Sequence, residues 1–222
     1  MSELHSTSKL LAKLYEAERT VRTLHEEISA QPIDTLTPLF RAEIKKASML
    51  DDADEEQLRL TRICAILGEH EGPAVVELLI DMLGHEEPDV RYAAGEELQG
   101  LAFERFKEVA LGVESAIKRL PVGSVALAEL PYLLSEVPEP GVMKLLGMFV
   151  AHADPDAVAA AIEALAEMGD PAAISILTPL DNDKRTVQLD DDGEINGVTI
   201  GELAREAVVI LSGGEDGRKR RG

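Results

Sequence analysis

Three His-Glu dipeptides are the residues of this chain whose types are suited to metal chemistry. They are His25-Glu26, His70-Glu71 and His85-Glu86. Imidazole nitrogens and carboxylate oxygens hold zinc or iron when several of them converge on one point. The first dipeptide lies in a long stretch without proline or glycine, whereas the other two precede Gly72 and Pro88 in turns, so the three do not recur at equivalent positions. This spacing predicts no metal site, and we expect no cofactor.

The acidic run at residues 190–194 and the single cysteine, Cys64, are the other candidates for site chemistry. The run resembles a calcium-binding loop, but such a loop requires a glutamate at its twelfth position, where Gly201 stands. Cys64 lies in an apolar segment, residues 62–67, which predicts a buried and unreactive thiol. The sequence contains no glycine-rich phosphate loop, no nucleophile elbow and no CxxC motif. These observations favour a protein that is not an enzyme.

An excess of carboxylates dominates the charge of the chain. There are 42 Asp and Glu residues against 22 Lys and Arg, which gives a formal net charge of −20. Such a field repels nucleic acid and anionic lipid and attracts basic surfaces. Aromatic residues make up only 3% of the chain and tryptophan is absent, which is atypical of surfaces that stack bases. We therefore expect a basic protein as the partner, and neither nucleic acid nor a membrane.

The elements that position these carboxylates follow from a period of about 33 residues. Pro88, Pro121 and Pro155 each lie near the start of a helix-like apolar stretch, and they are 33 and 34 residues apart. Repeats of this length whose halves both read as helix predict a stacked α-solenoid. The second helix of each pair lines the inner face of a solenoid, and glutamates recur at the polar positions of these helices. The predicted partner-binding residues are Glu55, Glu96, Glu97, Glu129, Glu136 and Glu163.

The solenoid is predicted to occupy residues 32–212, as a series of helix pairs. The pairs are 33–48 with 54–68, 72–84 with 88–103, 105–120 with 124–137, and 140–152 with 155–168; a fifth pair starts over 171–180. Alternating β-formers predict a β-hairpin inserted at 185–200, and Thr199 with Glu202 forms a capping box at the start of the last helix. Residues 213–222 read as a disordered basic tail. Leu98 is predicted to be deeply buried between helices.

Residues 1–31 are predicted to form a separate N-terminal amphipathic helix with a heptad pattern. Its apolar residues alternate in spacing between four and three, as in a coiled coil. Two interpretations of this pattern are open: the helix caps the end of the solenoid, or it associates with a partner, including a second copy of the chain in a homodimer. The residues of this self-association face are Leu10, Leu14, Val21, Leu24 and Ile28.

Around Asp89-Val90-Arg91 the sequence resembles a HEAT-repeat protein of the bacterial type. The match is strongest over 68–102 and looser over 139–180, where Asp156 is retained and the arginine is missing. The resemblance implies an all-α fold, a right-handed α-solenoid of about five HEAT-like helix pairs with an extra N-terminal helix and a small β-hairpin in the last repeat. In the family the aspartate and arginine form a ladder between repeats. This implies a structural role for Asp89, Arg91 and Asp156, with a looser stack at the fourth repeat.

The resemblance leaves more than one function open. HEAT-like proteins include an iron-dependent hydroxylase with four inward-facing His-Glu pairs, enzymes that remove alkylated bases from DNA, and lyases that attach bilins. The His-Glu spacing disfavours the first class, the acidic charge disfavours the second, and the scarcity of aromatic residues gives no pocket for the third. The leading prediction is a non-catalytic interaction scaffold. The alternatives are an immunity or antitoxin-type inhibitor of a basic enzyme, and a HEAT-like lyase or hydroxylase accessory enzyme.

The predicted compartment is the cytoplasm. The first residues of the chain are polar and contain no apolar signal segment. No stretch approaches the 18 or so uninterrupted apolar residues that a membrane-spanning helix needs.

Overall fold

The computed structural model describes residues 2–191 and 194–213, and it is almost entirely helical. The helices are α1 Ser2–Ser29, α2 Ile33–Ala47, α3 Ala53–Gly68, α4 Pro73–Leu83, α5 Pro88–Arg119, α6 Val125–Ser135, α7 Val142–Val150, α8 Pro155–Met168, α9 Ile174–Leu177 and α10 Ile200–Leu211. Short 3-10 turns at Pro171–Ala173 and Thr178–Leu180 flank α9. The strands are β1 Thr186–Asp191 and β2 Glu194–Thr199.

These helices form two layers. We call α2, α4, residues 106–119, α7 and the segment 171–180 the first helices, and α3, residues 88–104, α6, α8 and α10 the second helices. Each second helix packs against the next one along the chain, so α3, α5, α6, α8 and α10 form a continuous row. The predicted solenoid of paired helices with a small hairpin in the last repeat is confirmed.

The core fills the space between the two layers with aliphatic side chains. Leu98 has no exposed surface, as predicted, and neither has Val90 or Ala94 on the same face of α5. In α8 the equivalent face buries Val158, Ala161 and Leu165 completely. Because these residues recur at helical spacing in successive repeats, the apolar stripes join into one core along the solenoid.

The predicted boundary between the second and third pairs agrees with the structure. The sequence predicts separate helices over 88–103 and 105–120, and α5 consists of two helical segments, 88–104 and 106–119, that meet at Arg105. Arg105 has φ −139° and ψ 49°, outside the helical region, so the helix is interrupted at this residue. No proline or glycine lies between Leu101 and Lys107, so the interruption is not caused by either residue type.

The fifth pair is less regular than predicted. In place of one helix over 171–180, the chain makes 3-10 turns around the four residues of α9. Pro171 and Pro179 each lack the backbone N–H that a continuous helix would need.

The hairpin of β1 and β2 is antiparallel and places Thr186 opposite Thr199. Residues 192–193, which connect the two strands, lie outside the described part of the chain. The capping box before α10 is confirmed. The Glu202 N–H donates to Thr199 Oγ1 at 3.2 Å, and the Thr199 N–H donates to Glu202 Oε2 at 2.9 Å. The predicted basic tail from residue 214 onward also lies outside the described residues.

Helix α1 touches the solenoid near its own C-terminal end. His25 Nε2 lies 2.9 Å from Glu69 Oε1, just after α3. The apolar stripe of α1 is nevertheless exposed, with Leu14 at 53% and Leu24 at 53% of their full accessible surface. The capping interpretation requires this stripe to pack on the end of the solenoid. The stripe does not do so, because its leucines are exposed.

Candidate protein-binding surface

An open cleft of about 500 Å³ lies on the row of second helices, between the first half of α5 and α6. Pro88, Gly95 and Leu133 contribute apolar surface to the cleft. Its polar rim is built from Tyr92, Glu96, Glu129, Tyr132 and Glu136. Three of the six glutamates predicted from the sequence to bind a partner therefore line one concave surface.

Two tyrosines hold carboxylates at this cleft. The Tyr92 hydroxyl donates to Glu96 Oε1 at 2.9 Å within α5. The Tyr132 hydroxyl donates to Glu163 Oε2 at 2.6 Å, and this bond connects α6 to α8. Burial, followed by the hydrogen bond to Glu163, raises the pKa of Tyr132. Both phenols therefore act as hydrogen-bond donors and orient the two carboxylates.

Three carboxylates of the first helices are paired with cations of neighbouring repeats. Arg41 of α2 lies 3.1 Å from Glu77 of α4, and Arg119 lies 2.7 Å from Asp81. Lys144 of α7 lies 3.2 Å from Glu114 on the second half of α5.

No such pairing exists at the cleft. Within the described residues, no Lys, Arg or His nitrogen lies within ion-pair distance of the cleft glutamates Glu96, Glu129 and Glu136, or of Glu163, which the Tyr132 hydroxyl connects to the cleft. Arg91 also lines the cleft, but its guanidinium donates to the carbonyl oxygens of His85 and Glu86, both at 2.8 Å. The negative charge of this surface is therefore uncompensated. We call these four residues, Glu96, Glu129, Glu136 and Glu163, the acidic face.

Two of the six predicted glutamates lie elsewhere. Glu55, on the first turn of α3, pairs with Arg59 at 2.7 Å. Glu97 is half-buried, and its carboxylate lies over Gly68, where a Cβ would come within 1.8 Å of Glu97 Oε2. Burial raises the pKa of Glu97, and the charges of Glu96 and Glu69 add to the effect. The six residues are thus not one surface.

The Asp and Arg of the predicted ladder have distinct partners. Asp89 Oδ2 accepts a 2.6 Å hydrogen bond from Gln57 Nε2 of the preceding repeat, so this residue does connect repeats. Arg91 instead closes the turn of its own repeat. Asp156 is exposed, and in the described part of the chain its side chain has no hydrogen bond or ion pair.

Asp154, a carboxylate that the sequence analysis did not single out, also connects two repeats. Asp154 is 1% exposed. Its Oδ1 accepts hydrogen bonds from the N–H groups of Asp156 and Ala157 at the start of α8, and its Oδ2 accepts from the Gly123 N–H at 2.7 Å. The Asp154 side chain thus caps α8 and also accepts the hydrogen bond of a backbone N–H in the turn of the preceding repeat.

A sequence signal for this turn was available. Residues 85–89 read His-Glu-Glu-Pro-Asp, and residues 152–156 read His-Ala-Asp-Pro-Asp. In both turns the histidine Nδ1 accepts from the backbone N–H two residues later, at 3.1 Å. His85 therefore has a structural role, with its Nε2 3.3 Å from Glu56 Oε1.

The fourth repeat does not lose its arginine contact, although it lacks an arginine after Asp156. Arg185, at the start of the hairpin, donates to the carbonyl oxygens of His152 at 2.6 Å and Ala153 at 3.2 Å. These carbonyls correspond to those that Arg91 binds in the second repeat. The expectation of an arginine contact missing at this repeat is therefore wrong, because a residue distant in sequence supplies the guanidinium.

The remaining candidates for site chemistry do not form a site. Cys64 is fully buried with its Sγ 3.7 Å from Met82 Sδ, and burial raises the pKa of its thiol to about 12. Among the described residues, no group of three or more His, Cys, Asp or Glu side chains is placed to hold a metal ion. No helix within those residues is long and apolar enough to cross a bilayer.

Comparison with known proteins supports the repeat architecture. Residues 157–183 match the model of the PBS lyase HEAT-like repeat. No curated protein matches the sequence. The match covers one repeat, and together with the stacked helix pairs described above it supports a HEAT-like repeat architecture.

Three solved structures of engineered or designed proteins are similar. An engineered protein of the Northeast Structural Genomics Consortium is 19% identical, with a TM-score of 0.32 over 86% of this chain and 88% of that chain. A second one is also 19% identical, with a TM-score of 0.33 over 86% and 90%. A designed armadillo repeat protein is 15% identical, with a TM-score of 0.30 over 80% and 84%.

Proposed function

We propose that this chain is a non-catalytic interaction scaffold of the cytoplasm, and that its acidic face binds a basic protein. The observation that carries the proposal is the difference between the two layers of the solenoid. Glu77, Asp81 and Glu114 on the first helices are paired with cations of neighbouring repeats, whereas no described cation lies within ion-pair distance of the acidic face. Uncompensated charge around a concave surface steers association with a surface of opposite charge.

The chemistry of the cleft supports a protein ligand. Two tyrosines lie between the glutamates, and tyrosine is enriched at interfaces because its ring buries apolar area while its hydroxyl remains hydrogen-bonded. Carboxylates spaced along successive second helices suit several lysine or arginine side chains of one partner, such as a basic helix or strand. We therefore expect affinity that falls as salt concentration rises.

The proposal is tested with two variants of equal charge. In the cleft variant, Glu96, Glu129 and Glu136 are changed to Gln; in the control, Glu43, Glu77 and Glu114 of the first helices are changed to Gln. Each variant loses three negative charges, so a general effect of net charge is the same in both. Each is used as bait in a native lysate at low and moderate salt, with captured proteins identified by mass spectrometry.

The expected result is a basic protein that wild type and the control variant capture at low salt and the cleft variant does not. Binding of the purified partner is then measured by titration calorimetry against the same three proteins. Equal affinity for all three, or a partner whose binding does not respond to salt, would refute the acidic face as the binding surface.

A further inference from the structure

The apolar stripe of α1 is left uncovered by the protein's own fold. The helix has 28 residues, which corresponds to about 42 Å at 1.5 Å per residue. Leu10 is 63% exposed, Leu14 53% and Leu24 53%, while Val21 and Ile28 are close to 40%. A helix in water gains most of its stability from packing an apolar face, so a contiguous stripe of this kind marks an interaction site.

We propose that α1 pairs with α1 of a second copy of this chain in a parallel, two-stranded coiled coil. In the heptad register, Leu14, Val21 and Ile28 occupy the a positions and Leu10, Ala17 and Leu24 the d positions. β-Branched residues at a combined with leucine at d favour a parallel dimer. Two of the three a positions and two of the three d positions follow that rule.

The charges beside the stripe fit a second copy in the parallel orientation. Lys13 occupies a g position and Glu18 the e position five residues later. A parallel pair brings each Lys13 next to Glu18 of the other copy, and the twofold axis produces this contact twice. An antiparallel pair with Leu10 opposite Ile28 would bring each Lys13 next to Glu27 of the other copy but would also bring the two Glu18 side chains together, a repulsion that the parallel pair lacks.

The contact between α1 and its own solenoid is compatible with this pairing. His25, which binds Glu69, occupies an e position, to the side of the a and d residues. The e positions of a parallel pair lie on opposite sides of the twofold axis, so the two solenoids would extend in different directions. The dimer leaves the acidic face of each copy free and does not depend on the function proposed for it.

The mass of the full chain in solution tests the pairing. We expect sedimentation equilibrium to give a monomer–dimer equilibrium for wild type, and a monomer for Leu24→Lys, which places a charge at a d position. Thr23→Lys adds the same charge one residue earlier, on the outer side of the helix, and is expected to leave the dimer intact. Thermal unfolding followed by circular dichroism verifies that both variants retain the solenoid.

A charge exchange tests the orientation. Lys13→Glu and Glu18→Lys are each expected to weaken the dimer, because each creates two like-charge contacts. The double variant is expected to restore it in a parallel pair, whereas in an antiparallel pair the Lys13→Glu change would face Glu27 of the other copy. The pairing would be overturned by a wild-type chain that stays monomeric at all concentrations, or by a dimer that Leu24→Lys does not disturb. The parallel orientation would be overturned by a double variant whose dimer stays weak.

Discussion

The Arg185 guanidinium lies 2.6 Å from the carbonyl oxygen of His152, 33 residues earlier in the chain. The same guanidinium is held by Asp183, with Nη2 2.6 Å from Oδ2. The hydrogen bonds from Arg185 lower the pKa of Asp183, so the carboxylate is ionised at neutral pH. Hydrogen bonds from Arg185 therefore connect the hairpin insertion to the turn before α8. The last repeat contacts the rest of the solenoid through these hydrogen bonds as well as through apolar packing.

Arg185→Ala is expected to lower the free energy of unfolding by about 1–3 kcal/mol, because it leaves two turn carbonyls without their charged donor. The measurement is chemical denaturation monitored by circular dichroism. Lys184→Ala, at the exposed neighbouring position, is the control and should change stability by no more than about 0.5 kcal/mol. Equal effects of the two substitutions would show that the contact with His152 contributes nothing.

Asp154→Ala is expected to destabilise the protein by roughly 2–4 kcal/mol, since three backbone N–H groups lose their acceptor in a buried position. Asp156→Ala, two residues later, removes an exposed carboxylate from the same helix turn and should cost less than about 1 kcal/mol. Denaturant midpoints of the two variants give the comparison. A smaller loss for Asp154→Ala than for Asp156→Ala would contradict the hydrogen-bonding scheme.

Two glycines of α5 should respond in opposite directions to alanine. A Cβ at Gly112 would lie 2.3 Å from Val76 Cγ1, so Gly112→Ala forces α4 and α5 apart and is expected to cost about 1–3 kcal/mol. At Gly100 no described atom lies within 4 Å of the new Cβ, and Gly100→Ala should stabilise the helix by about 0.5–1 kcal/mol. Thermal midpoints report both changes, and a shift in the same direction for both would mean that the close approach at Gly112 is wrong.

Glu97→Gln is expected to stabilise the protein at neutral pH. Burial, Glu96 and Glu69 raise the pKa of Glu97, so the folded state binds this proton more tightly than the unfolded chain does. The contribution of this bound proton to the free energy of unfolding is fully present at pH values below the ordinary glutamate pKa. It is lost as the pH rises through the raised pKa of the folded state.

The advantage of Glu97→Gln in denaturant midpoint should therefore be present at pH 7 and shrink towards zero below about pH 4. Glu104→Gln, which removes the same charge from an exposed site on α5, is the control. A gain for Glu97→Gln that did not change with pH would point to packing instead of ionisation.

Much of the architecture was predictable because it depends on local pattern. The stripes that contain Leu98 and Leu165, and the capping box of Thr199, are set by residues three or four positions apart in the chain. The break in α5 lies where the sequence predicts it, but its contact was not predictable: the Arg105 guanidinium donates to the His70 carbonyl oxygen at 2.9 Å, and sequence pattern carries no such tertiary information.

The surface was only partly predictable for a related reason. Helical spacing places Glu96 and Glu97 side by side, but which one faces solvent depends on the neighbouring helix. Glu97 lies over Gly68, whereas Glu96 reaches the cleft. The role of Arg185 in the fourth repeat was out of reach, because no local motif connects it to His152 across 33 residues.

The break at Arg105 also has a consequence for local unfolding. Proteins open locally in cooperative units, and segments with few buried contacts open most easily. The connection between the second and third repeats is a single non-helical residue, Arg105, instead of a loop. These two repeats should therefore open together, and the cleft beside α5 would keep its shape until they do.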